Sequence, residues 1–84
     1  MKLIFMKEDK LIRQAFSIIR KIKEIKTKNL IEVMKVGEPT INKYESGRIK
    51  LDYEKIKMFC DGLCIPIEKF EETMNFIENF NKSK

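Results

Sequence analysis

The apolar residues of this chain recur at intervals of three and four, in short runs separated by turn residues. No other feature of the sequence constrains its fold as tightly. Leu11, Ile12, Ala15, Phe16, Ile19 and Ile22 trace one face of a first helix over residues 10–23. Glu8 and Asp9 precede it, at the end where acidic side chains are favoured. Arg13, Lys21 and Lys23 are expected on its outer face. After a break at residues 24–26, Thr27 leads into a second helix with Leu30, Ile31 and Met34 on its apolar side. Lys35-Val36-Gly37 reads as a turn. Pro39 is tolerated only in a first helical turn, so a third helix should start at Glu38 with Gly37 near its N-cap. Ile41 and Tyr44 would face inward, and Ser46-Gly47 would end it. Asp52 should cap a fourth helix, with Tyr53, Ile56, Phe59, Cys60 and Leu63 inward. Pro66 should open a fifth, carrying Ile67, Phe70, Met74 and Ile77. Strand alternation is absent apart from an extended stretch at Leu3 to Met6, so the expected class is all-α with five helices.

Size and charge narrow the function. A chain of 84 residues forms one domain and buries only about 60% of the surface its unfolded form exposes, too little to wall a deep cleft between subdomains. The expected organisation is an N-terminal arm (1–9), a helical domain (10–80) and a frayed tail (81–84), with Met6 as an alternative start to Met1. There is no His, which removes the commonest general base and the usual partner of Ser and Cys nucleophiles. An enzyme is not expected, nor a cofactor. The net charge of +5 is unevenly spread: residues 1–50 hold 13 Lys/Arg against 6 Asp/Glu, and residues 51–84 hold 5 against 7. The first half is built to meet an anion, with nucleic acid the first candidate and an anionic membrane surface the second.

Cys60 and Cys64 fall short of the four N or S ligands a zinc site needs, so no metal is expected. Four residues apart in a helical segment, both should face the same side, as buried thiols in a reducing, cytosolic setting. The opening apolar run is too short for a signal sequence or a membrane span.

Helices two and three, with a tight turn between them and a polar outward face on the third, have the form of a helix-turn-helix. Phe16, Ile19 and Arg20 on helix one, Leu30 on helix two, Val36, Thr40-Ile41 and Tyr44-Glu45-Ser46-Gly47-Arg48 follow in order, and then Leu63-Cys64-Ile65-Pro66-Ile67-Glu68-Lys69-Phe70. From about Ile12 to Phe70 this series resembles the lambda-repressor-like, Xre-type family of DNA-binding domains. The chain departs from that family at Ile31 (usually small), Lys35 (usually Gly), Thr27 (usually Gln) and Gly37 (usually Ser or Thr). These changes bear on the docking angle more than on the fold.

The resemblance implies a compact five-helix lambda-repressor-like domain whose helices two and three form the helix-turn-helix. It implies sequence-specific binding of double-stranded DNA by a phage, plasmid or bacterial transcriptional regulator, in the cytoplasm. Base-reading would fall to Glu38, Pro39, Thr40, Asn42 and Lys43, since a recognition helix presents its first turn and the next to the major groove. Thr27, Lys28, Arg48 and Lys50 would contact phosphate. Arg20 and Glu45 stand where the family has an ion pair bracing helix one against the loop that faces DNA. Phe76 and Phe80 form a second apolar stripe on helix five, so Phe76, Ile77 and Phe80 are expected at a homodimer interface that matches a palindromic operator. The function expected is a homodimeric repressor. The alternative is a protein-interaction module that keeps the fold with little or no DNA binding, for example an antitoxin-like protein with a toxin or an anti-repressor as partner.

Overall fold

The computed structural model describes residues 9–82, and over them the chain forms five α-helices. These are α1 (Asp9–Ile22), α2 (Thr27–Met34), α3 (Glu38–Ser46), α4 (Tyr53–Gly62) and α5 (Ile67–Lys82). No strand occurs among the described residues, and none of their helices is long and apolar enough to cross a membrane. The extended stretch expected at Leu3 to Met6, and most of the arm, lie outside the described residues. Helix α1 is already formed at Asp9, the first described residue, and α5 runs through Asn81 and Lys82, where a frayed tail is expected from the sequence.

The sequence periods close on one core. Phe16, Phe59 and Phe70 are fully buried and bring α1, α4 and α5 together, with ring centroids 4.8 Å apart for Phe16 and Phe59 and 6.4 Å for Phe59 and Phe70. Leu30, Met34, Ile41 and Tyr44 complete the core from α2 and α3. Helix α1 packs most extensively on α5, and α2 on α4. Gly62 allows the second of these contacts, because a Cβ there would lie 2.5 Å from Cβ of Val33. The Lys55 ammonium, on α4, donates to the Met34 carbonyl at the end of α2 (3.2 Å), a cation at the negative end of a helix dipole.

The helix ends follow a repeated plan. Glu24, Gly47 and Cys64 adopt left-handed backbone angles just beyond α1, α3 and α4. In each case the next residue donates its N–H five residues back: Ile25 to Arg20 (3.0 Å), Arg48 to Lys43 (2.9 Å) and Ile65 to Cys60 (2.8 Å). This is the Schellman arrangement, which satisfies the last carbonyls of a helix and often tucks the following apolar residue inward. Ile25 packs against the core and Ile65 is buried.

Two sequence expectations change for that reason. Ile22 is 74% exposed, because the chain turns after it and Ile25 packs against the core instead. Cys64 does not share a face with Cys60: α4 stops at Gly62, which leaves Cys64 exposed in the turn. Cys60 is buried, and burial, with Asp61 adding to it, pushes its thiol up to about 11. Leu63 and Tyr53, at the two ends of α4, are half-buried.

Candidate nucleic-acid interface

Helix α3 begins as its sequence requires, with Gly37 in an extended N-cap conformation and Pro39 in the first turn, where its missing N–H costs nothing. Ile41 and Tyr44 are buried, which turns Glu38, Pro39, Asn42 and Lys43 outward. Thr40 is half-buried, because it sits beside Ile41 and one turn before Tyr44, at the edge of the inward face. Four of the five expected base-reading residues therefore share an exposed face, and the fifth is partly withdrawn from it.

Arg20 holds this helix in place. Its guanidinium forms an ion pair with Glu45 in the last turn of α3. It also donates to the Thr27 hydroxyl at the start of α2 and to the Ile25 carbonyl in the intervening turn (3.0 Å). The Arg20 and Glu45 side chains are 19% and 28% exposed, so the pair is partly shielded from water. One side chain of α1 thus ties the start of α2 to the end of α3. The Thr27 hydroxyl already accepts a hydrogen bond, which makes Thr27 part of this brace as well as an expected phosphate contact.

The turn between α2 and α3 keeps a left-handed residue without glycine. Lys35 adopts φ 57° and ψ 45°, and its N–H donates to the Ile31 carbonyl (3.0 Å). A lysine here bears about 1–2 kcal/mol of backbone strain that glycine would avoid.

The expected phosphate contacts are distributed around this unit. Lys28 is exposed in the first turn of α2. Arg48 and Lys50 are exposed beyond α3, and the Lys50 ammonium lies 3.8 Å from the Asp9 carboxylate at the start of α1. Arg48 occupies the position that Ile25 and Ile65 fill at the other two Schellman ends. A cation stands outward where the two equivalents turn inward.

Arg13 is not simply an outer-face residue. It is half-buried, and its guanidinium covers Gly47: a Cβ at that glycine would lie 2.1 Å from Arg13 Nη1. Gly47 is favoured by its φ of 84°, and Arg13 occupies the space a side chain there would take. The sequence signal for this contact is the seven-residue step from Arg13 to Arg20, two helical turns and hence one face.

The expected dimer residues differ in exposure. Phe76 and Phe80 are 69% and 55% exposed, and they border a groove of about 480 Å³ between α1 and α5 that Ile18 also lines. Ile77 is 6% exposed and belongs to the core, because it continues the Phe70 and Met74 stripe that faces α1. Ile77 still lines the same groove, beside Phe76 and Phe80. Comparison of the chain with protein-family models, with curated proteins and with solved structures gives no match.

Proposed function

We propose that this protein is a sequence-specific double-stranded DNA-binding regulator of the helix-turn-helix type, acting as a homodimeric repressor by occupying a palindromic site. The observation that carries this reading is the exposed face of α3, with Glu38, Pro39, Asn42 and Lys43, held by the Arg20 brace and followed by Arg48. Its chemistry suits base edges: Lys43 can donate to guanine, Asn42 can pair with adenine, Glu38 can accept from cytosine, and the Pro39 ring can touch a thymine methyl. Lys28, Arg48 and Lys50 would neutralise backbone phosphates. The similarity in motif order to the Xre-type family supports the same reading. Two copies would pair through α5, where Phe76 is the most exposed aromatic residue.

The test is a titration of a random-sequence duplex pool, with selection, at two salt concentrations. Wild type should enrich a palindrome and bind with a log–log salt slope of about −5 to −7, as for a dimer making ~3–4 phosphate contacts per half. The Lys43→Ala/Arg48→Ala variant should lose that binding with its helical circular dichroism unchanged. Absence of wild-type binding at low salt would overturn the proposal.

A further inference from the structure

A pocket of about 200 Å³ opens between the first turn of α1 and the loop that follows α3. Among the described residues, Arg13, Arg48 and Lys50 line it with Asp9 as the one acidic residue, and Gly47 and Tyr44 lie beside them. Counted over the described residues, three cations against one carboxylate leave a local surplus of two positive charges. The Lys50 and Asp9 pair is long at 3.8 Å, and its side chains are 70% and 59% exposed, so it holds Lys50 only weakly. Neither Arg13 nor Arg48 has a side-chain hydrogen bond or ion pair with any described residue. The half-buried Arg13 guanidinium rests on Gly47, in the space a Cβ there would fill. A planar fork of donors without an acceptor among the described residues is the geometry that phosphate oxygens satisfy bidentately. The volume is ample: one water takes about 30 Å³ of liquid, leaving room for a phosphate group and part of its hydration shell.

We infer that this pocket binds a phosphate group, with Arg13 and Arg48 as its principal ligands and Lys50 released from Asp9 to join them. The inference adds α1 to the anion-binding surface. Where the phosphate is a DNA backbone phosphodiester, it rests on the proposed function; where it is a free phosphate or nucleotide, it does not. Asp9 opposes binding, so its removal should strengthen the site.

Arginine side-chain NMR on the full chain separates these sources. Inorganic phosphate should shift the Arg13 and Arg48 Nε–Hε resonances saturably, beyond any shift caused by chloride at matched ionic strength. Arg13→Gln should weaken phosphate binding by about tenfold, the scale of one charge-assisted hydrogen bond. Asp9→Asn should tighten it by about threefold, the scale of one exposed charge. With duplex DNA, Arg13→Gln should reduce the salt slope by about one contact per protomer. Phosphate shifts no larger than those of chloride, or unchanged phosphate affinity in Arg13→Gln, would overturn the inference. Saturable phosphate binding without duplex binding would leave the pocket standing and remove the DNA reading. Duplex binding with an unaltered slope in Arg13→Gln would keep the DNA reading and remove the pocket as its phosphate contact.

Discussion

Helix α1 carries two arginines, one toward each end, and they behave oppositely. Arg20 has its donors taken by Glu45, Thr27 and Ile25, on three successive parts of the chain. Arg13, two turns earlier on the same side, covers Gly47 and has no hydrogen-bonding partner among the described residues. One junction is closed by protein and the other is open to a ligand. The same residue type on one helix face is thus a structural brace in one place and a binding group in the other, according to whether the facing loop supplies acceptors.

Stability measurements can break this comparison. The largest effect is expected from Arg20→Ala, which strands Glu45 in a partly shielded position and should cost about 2 kcal/mol, or roughly 10 °C in Tm. Arg13→Ala should cost well under about 1 kcal/mol, having no partner to strand. Thermal denaturation of the two variants compares them directly, and equal losses would mean that the two junctions do not differ in kind.

A double-mutant cycle at the open junction comes next. Gly47→Ala should destabilise by about 1–2 kcal/mol through its left-handed backbone alone, with a further loss from displacing Arg13. Adding Arg13→Ala should restore the second part and leave the first. Strictly additive losses in urea denaturation would show that Arg13 is mobile enough to avoid the new methyl group.

The smallest effect concerns the left-handed residues that are not glycine. Lys35→Gly should stabilise the protein by up to about 1 kcal/mol, since Lys35 has a φ of 57° and an exposed side chain. A loss instead, seen as a lower urea midpoint, would show that the lysine side chain offsets the strain of its backbone.

Much of the fold was legible in the sequence because its signals are local. The start of α3 at Glu38, the Asp52 cap of α4, whose carboxylate accepts from the Lys55 N–H at 2.9 Å, and the left-handed Gly47 each follow from a few adjacent residues. The Arg20 and Glu45 pair was also anticipated, through a resemblance in motif order. Less legible were the positions just past helix ends. Ile22 and Cys64 continue the helical period in sequence, yet the chain leaves the helix at or before them and sends Ile25 and Ile65 inward. A three-and-four period does not mark where a Schellman turn will intervene when its left-handed residue is Glu or Cys. In the candidate interface, the outward residues of α3 were legible except Thr40, which is half-buried at the edge of the inward face.

The sequence by itself determined the number of helices, most of their limits, the apolar faces that form the core, and the concentration of positive charge in the first half. Those properties depend on residue spacing, backbone preference and composition, which neighbouring residues decide. Tertiary structure alone decided which charges are used: Arg20 and Thr27 are bound to each other, Arg13 meets Arg48 and Lys50 across a pocket, and Ile77 is buried while Phe76 is exposed. These outcomes depend on distances between segments far apart in the chain. No local rule sets those distances; they follow from the packing of all five helices around one core.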